Sequence, residues 1–195
     1  MRVGIVGAGK LGSALARRSL AAGHQVLLAT RPGALHSELV AEVMAPGAQV
    51  TPIEQWGTVD LAILAVPYHI ALGLELPLPR GTVVIDPTNY WEPVDGPPPN
   101  SLGYGSTSET LAARHPGLRW VKSLNQLGYH DLDDLTDLSR VQMRYATDDD
   151  QAAKVVAAYL RNLSLDPINV GPLSAGNLLE PGHELFDAGR SAPRG

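Results

Sequence analysis

The sequence predicts an α/β protein: a parallel sheet with helices on both faces and a small α/β extension towards the C-terminal end. Three observations carry this. Short aliphatic runs recur along the chain, segments of helical periodicity alternate with them, and a glycine-rich turn joins the first run to the first helical segment. Strands that alternate with helices build βαβ units, and the strands of such units run parallel.

Taken in order, residues 3–6 form the first strand and residues 11–22 a helix that stops at Gly23. Residues 25–29 follow as a strand and 34–44 as a helix, closed by Pro46 and Gly47. A short strand is expected at 49–51, the strongest one at 61–66 and another at 82–86. Residues 87–105, rich in Pro, Gly and Asn, read as a long loop; such loops are often functional. Residues 107–114 read as a helix with Ser106 as N-cap, and 120–124 as a strand. Beyond that, 127–138 is acidic and irregular, 141–146 is a strand, and 149–162 is an amphipathic helix with acids in its first turn. A last strand is expected at 166–170, and a short helix interrupted by Pro181 at 174–186. The organisation is therefore a dinucleotide-binding domain over 1–124, a small C-terminal subdomain over 125–186, and a disordered tail over 187–195.

Composition excludes several functions. With 44% apolar and 18% charged residues in 195, the chain can build a sizeable core. The net charge is −5 with no basic stripe, so nucleic acid is not expected as a partner. The longest apolar stretch, 61–67, is far short of a membrane span, and Met1 and Arg2 lead straight into a strand without a signal pattern. A cytoplasmic protein with no membrane contact is expected. There is no cysteine, so any redox chemistry must come from a cofactor. The six His residues lack metal-ligand spacing, and no metal is expected.

The turn Gly7-Ala8-Gly9-Lys10-Leu11-Gly12 reads G-x-G-x-x-G in the required place, after a buried strand and at the start of a helix. Gly7 permits the tight turn, Gly9 lets backbone approach a pyrophosphate, and Gly12 lets helix and strand pack closely. The anion then meets free N–H groups at the helix N-terminus. This makes the fold Rossmann-type. At the end of the second strand, where an acid would hold the ribose hydroxyls of NAD, stand Thr30 and Arg31. A guanidinium pairs bidentately with phosphate, so NADP(H) is favoured. His36 lies near the same rim, with a solvent-facing role the simpler reading. Ligands of open α/β sheets lie outside the carboxyl ends of the strands. Val66, Pro67, Tyr68 and His69, then Pro87, Thr88 and Asn89, and finally Asn125 stand at such ends. For Pro67 and Asn89, lining a nicotinamide pocket and plain turn chemistry explain the residues equally well. For His69, a proton-donor role is the weaker of the two readings.

No Tyr has a Lys four positions on, which sets short-chain dehydrogenases aside, and the 70 or so residues after Leu124 are too few for a large helical second domain. The stretches MRVGIVGAGKLGSALARRSLAAGHQVLLATR, LAILAVP, VVIDPTNYW, WVKSLNQLGY, YATDDDQAAKVVAAYL and DPINVGPLSAGNLLEP resemble the NADPH-dependent reductases of the deazaflavin coenzyme F-420. The resemblance runs over most of 1–181 and is shared with the oxidoreductase domains of STEAP metalloreductases.

It implies hydride transfer between nicotinamide and a flat deazaflavin or flavin ring, a step made by proximity and orientation rather than by a strong acid. It also implies a homodimer whose C-terminal part helps form the acceptor pocket. Thr30 and Arg31 would grip the 2′-phosphate, the turn from Gly7 to Leu11 the pyrophosphate, and Pro67 with His69 the nicotinamide side. Two departures stand out. Lys122-Ser123-Leu124-Asn125-Gln126 replaces the family's K-A-F-N-T, and 181–195 is polar where relatives continue into an apolar helix. A more open site would suit FMN, FAD or a ferric chelate. The expected function is thus an NADPH-dependent reductase of F-420 or flavin. A flavin-assisted ferric reductase and a non-catalytic NADP(H) sensor are the alternatives.

Overall fold

The computed structural model describes residues 1–30, 35–96, 105–134 and 141–188. In chain order the elements are β1 (Arg2–Val6), α1 (Lys10–Ala21), β2 (Gln25–Ala29), α2 (Leu35–Met44), β3 (Gln49–Val50), β4 (Leu61–Leu64), α3 (Tyr68–Gly73) and β5 (Val83–Asp86). They continue with α4 (Glu92–Asp95), α5 (Thr107–Arg114), β6 (Arg119–Ser123), α6 (Tyr129–Asp134), β7 (Gln142–Ala146), α7 (Asp150–Asn162), β8 (Asp166–Asn169) and α8 (Glu184–Ala188). Short 3-10 segments lie at Ile53–Gln55 and Leu173–Leu179.

All eight strands join one sheet in the order β3-β2-β1-β4-β5-β6-β7-β8. The strands from β3 to β6 are parallel; β7 pairs antiparallel to β6, and β8 runs parallel to β7. The strands beyond residue 125 thus extend the sheet of the first half. Side chains alternate across it, as strand geometry requires. Val3, Ile5, Leu61 and Ile63 pack with Leu15 and Tyr159 on one face, while Ala62, Leu64 and Val84 pack with Trp56, Leu111 and Trp120 on the other. The strand order reverses between β1 and β4, which opens a crevice at their carboxyl ends.

The local signals explain most boundaries. Ser106 caps α5 through a reciprocal pair, its hydroxyl taking the Glu109 N–H (3.2 Å) and the Glu109 carboxylate taking the Ser106 N–H (2.9 Å). Asp149 caps α7 by accepting the Ala152 N–H at 2.8 Å. Three regions differ from expectation. The acidic stretch 127–138 contains α6, which tertiary contacts support: Leu132 is fully buried, its carbonyl takes the Arg18 Nε at 2.5 Å, and Asp131 accepts the Gly128 N–H at 3.0 Å. The 61–66 strand ends at Leu64, and after Pro67 the chain turns into α3, which buries Tyr68 and Ala71 on one side. The C-terminal segment expected as one interrupted helix is a 3-10 segment followed, past Pro181, by α8. Within the loop after β5 the short α4 forms; residues 97–104 and 189–195 lie outside the described residues. Among the described residues no helix is long and apolar enough to cross a membrane.

Candidate active site

The three glycines of the first turn meet three different demands. Gly7 has φ +105°, and a Cβ there would stand 2.4 Å from the Ala65 carbonyl oxygen. A Cβ on Gly12 would stand 1.8 Å from the Gly7 carbonyl oxygen, so only glycine lets α1 approach the turn this closely. Gly9 is the opposite case: nothing lies within 4 Å of where its Cβ would be. That open space sits at the N-terminus of α1. The first bond inside the helix runs from the Ser13 N–H to the Gly9 carbonyl (2.9 Å), which leaves the preceding N–H groups without a carbonyl in the helix. No acid stands in the first turn. Lys10 adds positive charge; its Nζ donates to the Tyr129 hydroxyl (3.1 Å) and lies 5.0 Å from the Tyr129 ring centre.

From this turn a cleft of about 390 Å³ runs across the carboxyl ends of β4 and β5. Gly9, Lys10 and Leu11 line it past β1, Ala65 to Tyr68 and Pro87 to Asn89 past β4 and β5, and Trp91, Val94 and Asp95 from the segment that follows. His69 stands at the rim with a 41% exposed side chain, and its Nδ1 is 2.8 Å from Asp95 Oδ1. The same Oδ1 takes the His69 N–H (3.0 Å), and Oδ2 takes the Trp91 N–H (2.7 Å). Burial works against charge on Asp95, yet the Trp91 and His69 donors outweigh it and hold the carboxyl below the usual carboxylate range.

Behind the cleft lies a buried charged cluster. Lys122 and Asp86 are register partners on neighbouring strands, and both side chains are fully buried. Lys122 Nζ is 3.3 Å from Asp86 Oδ2 and 3.3 Å from Glu180 Oε1, and donates to the Thr107 hydroxyl at 2.7 Å and to the Thr88 carbonyl. Asp86 also accepts from Ser108 (2.6 Å), Thr107 (2.9 Å) and the Thr88 N–H (2.8 Å). Burial alone would raise the Asp86 carboxyl; the Lys122 ammonium and the Ser108 and Thr88 donors reverse this and depress it. Glu180 takes the Thr107 N–H at 2.7 Å. One ammonium therefore ties the end of β5, the start of α5 and the C-terminal segment to the Thr88 backbone, which faces the cleft.

Of the residues singled out in the sequence, Gly9, Lys10, Leu11, Val66, Pro67, Tyr68, Pro87, Thr88 and Asn89 line this one cleft, and Gly7 and Gly12 shape the turn behind it. Ala8 is half-buried, its carbonyl taking the Ser13 hydroxyl at 3.2 Å. Thr30 is half-buried just past β2 and is not among the residues that line the cleft. Asn125 is buried and supports the floor: its amide donates to Asn89 Oδ1 (3.0 Å) and to the Leu179 carbonyl (2.5 Å), while Asn89 donates to the Asn125 carbonyl (3.0 Å). Arg31 and the side chain of His36 lie outside the described residues. Sequence reasoning passed over Trp91, Val94, Asp95, Lys122 and Glu180. Only Lys122 left a signal, a charge in the middle of the apolar run Trp120-Val121-Lys122-Ser123-Leu124.

Known proteins place this geometry in context. A hypothetical protein of Sinorhizobium meliloti superposes with a TM-score of 0.79 at 25% identity, over 95% of this chain and 92% of its own. An Arthrobacter protein, provisionally named an F-420-dependent NADP reductase, gives 0.70 at 19% identity over 89% and 86%. An imine reductase of Aspergillus terreus, solved with NADPH4, gives 0.63 at 18% identity; it covers 91% of this chain but only 57% of its own. The last two likenesses speak for the fold. No curated protein matches the chain. Residues 2–90, from β1 through the rim at Asn89, match the family of coenzyme F-420-dependent NADP oxidoreductases, the family that the sequence resembles.

Proposed function

We propose that this protein is an NADP(H)-dependent oxidoreductase that passes hydride between NADPH and a planar acceptor, coenzyme F-420 or a flavin. The observation that carries the reading is the empty space over Gly9, set against the α1 N-terminus and continuous with the cleft. A dinucleotide pyrophosphate fits there: free N–H groups, the helix dipole and Lys10 all favour negative charge. Thr30 and Arg31 are assigned to the 2′-phosphate on their place in the sequence, directly after β2. When bound, NADPH supplies the hydride.

The chain's own residues bind and orient. Val66, Pro67 and Asn89 stand where they would flank a nicotinamide, and Asn125 with Leu179 fixes Asn89. In this way the segment 125–186 supports the acceptor side from below. Ring-to-ring hydride transfer needs two flat groups held in register rather than a general acid. His69, held by Asp95 through its Nδ1, is given no proton-transfer role in such a step.

The test is NADPH oxidation followed by absorbance, with F-420, FMN, FAD and a ferric chelate offered separately. Turnover with F-420 or a flavin supports the reading. Iron reduction only when flavin is present would make the protein a flavin-assisted ferric reductase. Tight NADPH binding without turnover on any acceptor would overturn the enzyme reading in favour of a sensor.

A further inference from the structure

Two of the three tryptophans, Trp56 and Trp120, are buried in the core; Trp91 is 49% exposed. It lies on the wall of the cleft with Val94, which is 61% exposed. Large apolar side chains left in water along a cleft mark a ligand surface.

The strap that carries them is fixed. Trp91 is the N-cap residue of α4, and Asp95 ends that helix. The Asp95 side chain, 3% exposed, accepts three donors, two from His69 and one from Trp91. Next to them the Tyr90 hydroxyl donates to the Gly96 carbonyl (2.5 Å), and the Tyr90 ring meets the buried Tyr68 ring edge-on at 6.4 Å. Both ends of the strap are thus pinned to α3, and the indole is presented on a rigid support.

Position narrows the occupant. Trp91 and Val94 line the same cleft as the glycine turn proposed for the pyrophosphate and as Pro67 and Asn89 proposed for the nicotinamide, and neither is among the residues assigned to the dinucleotide. With the Asp95 oxygens engaged, this wall offers an indole and a valine. We infer that Trp91 and Val94 form the docking wall of the acceptor: a flat fused-ring heteroaromatic stacks against the Trp91 indole and rests an edge on Val94. Stacking is tolerant of ring substituents, since every such ring has a π-face. The inference rests on the proposed reading of the cleft as an NADP(H) site.

The probe is riboflavin, which carries the ring without a charged tail, titrated into the NADP⁺-loaded chain while quenching of flavin fluorescence is followed. Trp91→Ala should raise the riboflavin Kd at least tenfold, and Trp91→Phe should keep it within about threefold, because it retains a stacking face. The NADP⁺ Kd and the melting temperature should stay at wild-type values in both. An unchanged riboflavin Kd in Trp91→Ala, or no riboflavin binding by the wild type, overturns the inference. So does an equal loss of NADP⁺, which would put Trp91 over the cofactor. Failure of the wild type to bind NADP⁺ would instead sink the reading of the cleft itself.

Discussion

Replacing Gly9 and Gly12 by alanine, one at a time, separates binding from stability within a single turn. At Gly12 the new methyl would start 1.8 Å from the Gly7 carbonyl oxygen, whereas non-bonded heavy atoms rest at about 3.5–4 Å. Either α1 retreats from the turn or the turn unwinds. Overpacking of this kind costs about 1–3 kcal/mol and sometimes more, and the better helix propensity of alanine offsets about 1 kcal/mol at most. A net loss of about 2 kcal/mol would lower the melting temperature by about 4–8 °C in a chain of this size. At Gly9 the methyl meets nothing, and φ −72° suits any residue. The cost is a slightly poorer N-cap, below about 1 kcal/mol. The same methyl fills the space over the free N–H groups. NADPH should then bind about 30- to 150-fold more weakly, the equivalent of about 2–3 kcal/mol in charge-assisted hydrogen bonds. Thermal melting by circular dichroism and NADPH titration by calorimetry read the two effects apart. Wild-type NADPH affinity in Gly9→Ala would refute the placement of the pyrophosphate. Wild-type melting in Gly12→Ala would refute the close approach of α1.

Further outcomes follow from the charged groups. Lys122→Met leaves the buried Asp86 and the partly buried Glu180 without their cation and should cost about 3–5 kcal/mol in chemical denaturation; a loss below about 1 kcal/mol would count against the cluster as a clamp. Because the Asp86 carboxyl is depressed on folding, its contribution is complete above the unfolded value near pH 4 and fades as pH falls through the lower folded value. The stability curve of Asp86→Asn should therefore fall less steeply below about pH 4 than that of the wild type, and an equally steep fall would contradict the assignment. Arg31→Ala should weaken NADPH by about 1.5–3 kcal/mol more than NADH, and equal weakening would move the 2′-phosphate elsewhere. His69→Ala should keep most turnover, since two of the three donors to Asp95 are backbone N–H groups. Collapse of turnover with NADPH binding intact would bring a proton donor into the mechanism.

What could be read from the sequence was local. The glycine turn announces itself because Gly7, Gly9 and Gly12 act within six residues, and each has a separate steric reason visible in the structure. Ser106 and Asp149 likewise cap the helices that follow them directly. The Lys122 cluster could not be read this way. It depends on the register that sets Asp86 opposite Lys122 and on Glu180 arriving from far along the chain. The Asp95 clasp also joins residues 26 apart, through a helix of four residues too short to show periodicity. Asn125 could be placed near the cleft from its strand, but its support of Asn89 needs the side-chain geometry. In α6, acidic composition conceals a helix that Leu132 and Arg18 hold in place.

The cleft at the ends of β1, β4 and β5 is proposed as an NADP(H) site. Calorimetric titration of NADPH and then NADH into the wild-type chain tests it most directly. One NADPH is expected per chain, bound at least about tenfold more tightly than NADH, as one charge-assisted phosphate contact requires. No binding of either dinucleotide, or equal affinity for the two, would contradict it.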